Sequence, residues 1–239
     1  MSAASLSIVI PAYNEDLSIA KTLESLCAIE FLNPEVLIIV DTVQDSTCGA
    51  VDQALVKPNK TSVLIQNHGA GPANAIRYGL EKASGTCVVV MMADGSDDSR
   101  AIPELANLVQ RGVSVACASR YMSGGQQIGG PRIKKFLSKS AGRILYHFAG
   151  VGTHDPTNSF KAYSKDFLSN VNLESSSGFE IGIELVAKAH RKSLAIAEVP
   201  TIWLDRSDGV SNFKLSRWIP HYLKWFFYCF GPKIKGEKR

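Results

Sequence analysis

Apolar and polar residues alternate in blocks along the first half of the chain. Short apolar blocks predict β-strands at residues 6–10, 35–40, 62–66, 86–92 and 113–118. The stretches between them carry apolar residues at helical spacing and predict helices at residues 16–29, 47–55, 72–83 and 101–111. Strands that recur at a spacing of roughly 25 residues, each followed by a helix, favour a mostly parallel, Rossmann-like sheet of the α/β class.

The second half of the chain is richer in glycine and in cations. A glycine-rich segment at residues 123–131 predicts a mobile loop that closes over a ligand, with a plain flexible connection as the alternative. A basic helix is predicted at residues 132–148. A turn and strand at 154–163, a helix at 178–191 and a strand at 194–204 complete the predicted α/β pattern.

An aromatic helix is predicted at residues 218–230, followed by a basic tail. A helix of this length extends only about 20 Å, which is too short for a hydrocarbon core of about 30 Å. Aromatic residues beside cations suit a helix that lies in a membrane interface, because Trp and Tyr favour the headgroup level and cations meet anionic lipid. The alternative is a terminal helix docked on the protein core.

Composition restricts the class of protein. The 239 residues are 45% hydrophobic and 20% charged, which is typical of one globular domain or two closely packed lobes. The net charge of +4 does not by itself indicate a nucleic-acid partner, but the cations are concentrated in the second half, where an anionic partner would bind. Five cysteines without metal-ligand spacing are interpreted as reduced core thiols, and the N-terminus lacks a signal-peptide pattern. These features predict a cytoplasmic protein.

Asp94 follows the most apolar of the predicted strands. Ligands of open α/β sheets bind at the carboxyl ends of the strands, and a carboxylate there can hold a divalent cation that completes its coordination with phosphate and water. The alternative is a loop in which Asp97 and Asp98 cap the following helix. Asp41 also follows a strand, where a carboxylate can accept hydrogen bonds from sugar hydroxyls or a base, and a turn or helix cap is again the alternative.

Several separated segments match one pattern in the same order. They are SIVIPAYNE at 7–15, IIVD at 38–41, NHGAG at 67–71, AD at 93–94, SRY at 119–121, DPTNSF at 155–160, EVP at 198–200 and RSDGVS at 206–211. Together they resemble the family 2 glycosyltransferases of the GT-A fold. The motifs of the second half are most similar to the dolichyl-phosphate mannose synthase and polyprenyl-phosphate glycosyltransferase branch. The resemblance covers roughly residues 6–214.

The resemblance implies roles in binding the nucleotide-sugar donor. It places Pro11, Tyr13 and Glu15 along the nucleotide pocket and gives Asp41 the base or the ribose. The resemblance further implies that Gly69 and Gly71 let the backbone approach the nucleotide, with a plain tight turn as the alternative.

The resemblance also implies a divalent cation, Mg²⁺ or Mn²⁺. Asp94 matches the second acid of the family's D-x-D motif, and Ser96, two residues further on, matches its metal-side position, so the resemblance implies that Asp94 and Ser96 hold the metal. Met92 replaces the first acid of the motif, and Thr42 stands where many members have another Asp. With fewer carboxylates the ion would depend more on pyrophosphate and water, so we expect weak metal binding in the absence of nucleotide.

The reaction implied is inverting transfer of the sugar to an acceptor oxygen. Arg120 and Arg206 are the expected phosphate contacts, with surface salt bridges as the alternative; Lys214 is a weaker candidate. A lipid-phosphate acceptor needs no general base, whereas a glycan hydroxyl would need one. Glu180, Asp155 and Glu184 are the candidates for that base. Glu180 and Glu184 lie four residues apart, and a solvated helix face is their alternative.

Three functions compete at this level. The first is a metal-dependent glycosyltransferase acting on an isoprenoid phosphate or a glycan, peripheral on the cytoplasmic membrane face and brought there by the aromatic helix or by a membrane-protein partner. The second is a catalytically silent nucleotide-sugar-binding scaffold. The third, a nucleotidyltransferase, is disfavoured because no G-x-G-T-R-type loop follows the first strand. The expected organisation is a GT-A domain at 1–214, with its donor half at about 1–120 and its acceptor half at 121–214, and a helix and tail at 215–239.

Overall fold

The computed structural model describes residues 5–29, 32–205 and 215–234. Its nine described strands are β1 Leu6–Pro11, β2 Glu35–Val40, β3 Lys60–Ile65, β4 Cys87–Val90, β5 Val115–Ser119, β6 Gln126–Ile128, β7 Lys161–Ser164, β8 Ile196–Pro200 and β9 Ile202–Leu204. Its eight described α-helices are α1 Ile19–Cys27, α2 Ser46–Gln53, α3 Pro72–Lys82, α4 Ile102–Gln110, α5 Arg132–Ile144, α6 Lys165–Ser169, α7 Ile181–Arg191 and α8 Leu215–Tyr228. A π-helical turn, Leu145–Ala149, continues α5, and a 3₁₀ turn, Ser99–Ala101, precedes α4.

Seven strands form one sheet in the order β3-β2-β1-β4-β7-β5-β8. Strands β1, β2, β3 and β4 are parallel to one another, and β5 is parallel to β8. Strand β7 lies between β4 and β5 and is antiparallel to both. The expected mostly parallel α/β sheet flanked by helices is therefore confirmed, with one reversed strand at its centre.

The alternation of side chains along β1 divides the core into two layers. Ile8 and Ile10 point to one face of the sheet, where they join apolar residues of α1, α2 and α4. Val9 points to the other face, where the core includes residues of α3, α7 and α8. Because both faces of the central strands are covered, the strands are continuous apolar runs rather than alternating ones.

The glycine-rich segment includes secondary structure that the sequence did not predict. It contains β6, which pairs in parallel with β9 to form a second, two-stranded sheet. The predicted strand at 194–204 is accordingly divided into β8 and β9, since β9 leaves the main sheet after Thr201. The predicted helix at 16–29 begins later, at Ile19, because the preceding residues form a turn in which Ser18 donates its N–H to the carbonyl of Glu15.

The aromatic helix is α8, and one of its faces docks on the core. Trp225 is only 2% exposed, and its indole N–H donates to Ser175 Oγ over 3.1 Å. The ammonium of Lys188 on α7 lies 4.9 Å from the centre of the Trp225 ring. In the described ranges, no helix combines the length and apolar character that crossing a bilayer requires.

Candidate active site

The chain brings its separated motifs to one edge of the main sheet. Strands β1, β2, β4 and β5 all end at this edge, because the antiparallel β7 gives β4 and β5 the same direction. Strand β7 begins where its neighbours end, so the loop at 155–160 that precedes it reaches the same edge. This is the edge at which open α/β sheets bind their ligands.

The donor half of the edge is organised by Asp41. Its Oδ1 accepts a hydrogen bond of 2.8 Å from Gln66 Nε2, and its Oδ2 accepts one of 3.1 Å from the Gly71 N–H. Gly69 and Gly71 both have positive φ values, +92° and +118°, which glycine adopts without strain. Asp41 therefore joins the end of β2 to the turn that begins α3. The segments 38–41 and 67–71, both expected to bind the donor, are thus in contact.

The turn after β1 carries the other residues expected to contact the donor. Pro11 is the last residue of β1 and is buried, whereas the Tyr13 ring is 62% exposed. Asn14 N–H donates to the Asp45 carboxylate over 3.1 Å, and Glu15 N–H donates to Thr47 Oγ1 over 3.0 Å. These bonds hold the turn against the start of α2, and the Tyr13 ring stays exposed at the sheet edge.

Asp94 and Ser96 lie in the loop after β4. Asp94 Oδ1 accepts from the Ser96 N–H over 3.1 Å, and the buried Ser96 Oγ has no hydrogen-bond partner among the described residues. No group of three metal-ligating side chains occurs in the part of the chain that the structure describes. The residues fit a cation held by one carboxylate and one hydroxyl, with the remaining ligands supplied by a diphosphate and water.

Asp97 forms part of the same loop in a way that the sequence did not indicate. It is buried, and its Oδ2 accepts from the Met92 N–H over 2.9 Å. Burial raises the pKa of Asp97 to about 7, and the nearby Asp94 carboxylate acts in the same direction, although the Met92 hydrogen bond opposes the shift. Asp98, in contrast, caps the following 3₁₀ turn, as the alternative interpretation of this loop proposed, since its Oδ1 accepts from the Arg100 N–H over 3.1 Å.

Arg120 forms a buried ion pair rather than the surface salt bridge considered as its alternative. Its Nε lies 2.7 Å from Asp155 Oδ2, and its Nη2 lies 2.9 Å from Asp155 Oδ1. The Asp155 side chain is fully buried and that of Arg120 is 12% exposed. Burial alone would raise the pKa of Asp155, but the guanidinium holds it below its ordinary value. A carboxylate so paired is a poor general base, which disfavours Asp155 in that role.

Glu198 of the EVP motif holds the residues that precede Asp155 in the chain. Glu198 on β8 accepts from Thr153 Oγ1 over 3.0 Å and from the His154 N–H over 2.8 Å. His154 Nδ1 also lies 2.6 Å from Glu198 Oε1. The motif therefore fixes the turn that carries Asp155.

Lys161 is a buried cation that sequence reasoning missed. It is the first residue of β7, and register places it beside Val90 of β4 and Cys117 of β5. The side chain is fully buried, and its Nζ has no hydrogen-bond partner within the described ranges. Burial lowers the pKa of Lys161, while Cys117 and the Asp155 carboxylate act in the opposite direction. The sequence did not single out Lys161, because a lysine after Phe160 at the start of a predicted strand is an ordinary pattern.

Glu180 and Glu184 do not lie on a solvated helix face. Both are buried, at 1% and 0% exposure. Glu184 accepts from the N–H groups of Glu174 and Ser175 and pairs with Lys188 over 2.7 Å, so its role is structural. Glu180 accepts from the Ser177 N–H through one oxygen, and its Oε2 has no partner among the described residues.

A basic cavity opens beside Arg120. Its volume is about 250 Å³, and it is lined by Arg120, Tyr121, Gly125, Gln126, Gln127, Ile128, Lys135 and Lys139. Tyr121 Oη hydrogen-bonds to Gln127 Oε1 and to Ser138 Oγ, which joins β6 to α5. Three cations and no carboxylate line the cavity, so it suits an anion. Arg206 and Lys214, the other expected phosphate contacts, lie outside the described residues.

A mostly parallel sheet has one reversed strand at its centre, carboxylates after its second and fourth strands and a basic cavity beside its fifth strand. This architecture is that of the GT-A class of glycosyltransferases. The model of the family described as "Glycosyl transferase family 2" matches residues 7–171, and the chain belongs to this family. Two curated relatives support the same family. The polyprenol monophosphomannose synthase of Mycolicibacterium smegmatis is 29% identical over 88% of this chain and 85% of its own. The dolichol-phosphate mannosyltransferase of Pyrococcus furiosus is 30% identical over 92% of this chain and 64% of its own.

Solved structures support the fold. Glucosyl-3-phosphoglycerate synthase from Mycobacterium tuberculosis, in complex with Mn²⁺, uridine diphosphate and glucosyl-3-phosphoglycerate, superposes with a TM-score of 0.69 over 97% of this chain and 81% of its own. The same enzyme with Mn²⁺, uridine-diphosphate-glucose and phosphoglyceric acid gives the same TM-score. Both are 18% identical to this chain, so the likeness concerns the architecture.

Proposed function

We propose that this glycosyltransferase moves a mannosyl group from a nucleotide-diphospho-mannose to a polyprenyl phosphate, with inversion at the anomeric carbon and with the help of a divalent cation. The sugar and the acceptor class follow the names of the two relatives. The observation that carries the proposal is the arrangement of the sheet edge: the Asp94 loop follows β4, and the basic cavity beside Arg120 follows β5.

The chemistry needs little from the protein beyond position and charge. A phosphate oxygen of the acceptor forms a bond to the anomeric carbon as the bond from that carbon to the donor diphosphate breaks, and the electron pair leaves with the diphosphate. The acceptor phosphate is already an anion near neutral pH, so no general base is required. A glycan hydroxyl would need one, and buried Glu180 is then the candidate.

Asp94 and Ser96 would hold the cation, which neutralises negative charge on the leaving diphosphate. Because the protein offers one carboxylate here, we expect the cation to bind tightly only together with the diphosphate. Arg120 has two of its nitrogens on Asp155, so its contribution to the cavity is a fixed, oriented positive charge rather than a free side chain.

The decisive experiment is transfer of labelled mannose from a panel of nucleotide-sugars to a water-soluble, short-chain isoprenoid phosphate, with and without Mg²⁺ or Mn²⁺. Asp94→Asn is expected to lower transfer by at least about a hundredfold, the scale of losing one charge that stabilises a transition state. Asp98→Asn is the matched control, because Asp98 is an acid of the same loop that binds Arg100 instead.

Each outcome of this assay is informative. Metal-dependent transfer by the wild type, lost in Asp94→Asn and kept in Asp98→Asn, supports the proposal. Nucleotide-sugar binding without any transfer would support the silent scaffold, which the relatives named as enzymes do not favour. We also propose a cytoplasmic location, because none of the described cysteines is in a disulfide bond.

A further inference from the structure

The last described residues of the chain are fastened to the C-terminal end of α7. Lys233 Nζ lies 2.9 Å from His190 Nε2 and 3.2 Å from His190 Nδ1, and it donates to the His190 carbonyl oxygen over 2.8 Å. The N–H of Ile234 donates to the Arg191 carbonyl oxygen over 2.7 Å. We define residues 231–234 as the C-terminal segment.

The C-terminal segment approaches α7 closely because it begins with a glycine. A Cβ added to Gly231 would lie 2.5 Å from Arg191 Nη1. The guanidinium of Arg191 lies in turn 4.4 Å from the centre of the Tyr228 ring at the end of α8. The side chain of Arg191 is therefore held between α8 and the C-terminal segment, and the last turn of α7 is the surface on which the segment docks.

His190 joins three elements and is only 7% exposed. Its ring N–H donates to the backbone carbonyl of Ala149, the last residue of the π-helical turn after α5. The Lys233 ammonium carries only donors, so it can bond the ring only through a nitrogen that accepts. An imidazole that donates through one nitrogen and accepts through the other is neutral. The observed contacts therefore require His190 to be uncharged.

The charged groups that act on His190 are both cations. They are Lys233 on the C-terminal segment and Arg191 on α7. The titratable groups of α8 and the residue after it that lie beside these cations are Tyr228 and Cys229, which are neutral near pH 7. Burial and the two cations lower the pKa of His190, although the hydrogen bond to Ala149 opposes the shift.

We propose that His190 and Lys233 form a pH-sensitive latch, which holds the C-terminal segment on α7 while the imidazole is neutral and releases it when the imidazole is protonated. Protonation replaces the lone pair that accepts from Lys233 with an N–H. It also places two positive charges 2.9 Å apart. The ammonium can then no longer bond the ring, and the segment that carries it loses its side-chain attachment to α7.

The pH range of the latch follows from proton linkage. When the segment is released, the Lys233 ammonium no longer opposes protonation, and the pKa of His190 returns towards its ordinary value of 6.5. The pKa of His190 is lower while the segment is docked, so the docked state binds fewer protons than the released state. Docking is therefore strongest above about pH 6.5 and weakens as the pH falls below that value.

The latch is remote from the candidate active site. Glu180 precedes the first residue of α7, and His190 follows it at a distance of about 15 Å along the helix, at 1.5 Å per residue. The latch is thus independent of the proposed reaction. Substitutions in the latch are expected to leave sugar transfer at about pH 7.5 unchanged.

The first test is a pH titration of the His190 imidazole in the full chain, followed by nuclear magnetic resonance. In the wild type the pKa of His190 is expected below 6.5. Lys233→Met keeps an unbranched side chain and removes the ammonium, so it is expected to raise the proton affinity of His190 at least about threefold. Lys192→Met is the matched control, because Lys192 lies at the same end of α7 but donates to the Asn170 carbonyl over 2.7 Å. It is expected to change that affinity by less than about 1.5-fold.

The second test is amide hydrogen exchange, corrected for the intrinsic effect of pH. The N–H of Ile234 reports docking directly, because its acceptor is the Arg191 carbonyl on α7. In the wild type its protection factor is expected to fall at least about threefold from pH 7.5 to pH 5.5. In His190→Gln it is expected to stay constant, because an amide can still accept from Lys233 and donate to Ala149 but does not titrate in this range.

Either measurement can overturn the latch. A proton affinity of His190 that Lys233→Met leaves unchanged, or that Lys192→Met raises equally, would show that the ammonium does not act on the ring. A protection factor of Ile234 that is the same at both pH values in the wild type would show that the segment is not released. A fall that persists in His190→Gln would assign the pH dependence to another group. The wild-type exchange measurement decides the question even if a variant fails to fold.

Discussion

Gly142→Ala is the substitution for which helix propensity and tertiary packing make opposite predictions. Gly142 lies inside α5, where alanine is favoured over glycine by about 1 kcal/mol. A Cβ at this position, however, would lie 1.9 Å from the carbonyl oxygen of His154 and 3.3 Å from Pro156 Cδ. Both neighbours belong to the turn that holds Asp155, so the glycine is a close contact between helix and site.

The packing cost is expected to exceed the gain in propensity. A carbon normally approaches a carbonyl oxygen no closer than about 3.3 Å, so helix and turn would have to separate by more than 1 Å. Overpacking of this kind costs about 1–3 kcal/mol, and we expect about 3 kcal/mol here because a backbone neighbour cannot rotate away as a side chain can. We expect Gly142→Ala to lower the free energy of unfolding by about 2 kcal/mol net, a fall of about 4–8 °C in the thermal midpoint for a chain of this size.

Gly49→Ala is the matched control for this prediction. Gly49 lies inside α2, and a Cβ built there meets nothing within 4 Å. This substitution is expected to raise the free energy of unfolding by about 0.5–1 kcal/mol. Urea unfolding followed by circular dichroism measures both variants, with the m-value as a check on the unfolded state. If Gly142→Ala proves as stable as Gly49→Ala, the close packing of α5 on the Asp155 turn is refuted.

Three further substitutions test the buried groups of the site. Asp155→Asn should lower the free energy of unfolding by about 3–5 kcal/mol near neutral pH, because it leaves Arg120 buried without its carboxylate partner. The pKa of Asp155 in the folded protein lies below its ordinary 3.8, so the wild type loses this stability only as the pH falls below about 4. The urea midpoints of wild type and variant should therefore converge in acid, and a difference that stays constant with pH would contradict the ion pair. Lys161→Met should leave the free energy of unfolding unchanged or raise it, because no described group hydrogen-bonds the Lys161 ammonium. A loss above about 3 kcal/mol in urea unfolding would indicate a paired structural cation. Trp225→Phe should cost about 1–2 kcal/mol in urea unfolding through the lost bond to Ser175 and the smaller ring, and an unchanged midpoint would argue against docking of α8.

The local sequence pattern was sufficient to predict which residues of the first half of the chain lie at the carboxyl edge of the sheet. Strands that are buried on both faces are continuous apolar runs, and the residues that follow them, such as Asp41 and Asp94, must then lie at the carboxyl edge. The turn glycines Gly69 and Gly71 are similarly local, because their positive φ values belong to one turn of chain. The family's roles for these residues stay predictions until substitution tests them.

The acceptor half depended on contacts that sequence spacing does not reveal. The bond between Arg120 and Asp155 joins residues 35 apart in sequence, and it exists because β7 enters the sheet in reverse between β4 and β5. The same reversal buries Lys161 between Val90 and Cys117. The pattern of residues in the segment 154–163 does not indicate which strands β7 pairs with.

By itself, the amino-acid sequence determined the class of fold, the family and the position of Asp41 and Asp94 at the carboxyl edge of the sheet, because these depend on apolar periodicity and on residues that follow strands. The tertiary structure alone decided the state of each of these charges: Glu184 is a structural anchor, Arg120 is in a buried ion pair, and Lys161 is a buried cation without a hydrogen-bond partner among the described residues. The physical reason is that burial and pairing depend on elements that arrive from distant parts of the chain. The free energy of a charge is set by these neighbours and not by its own segment.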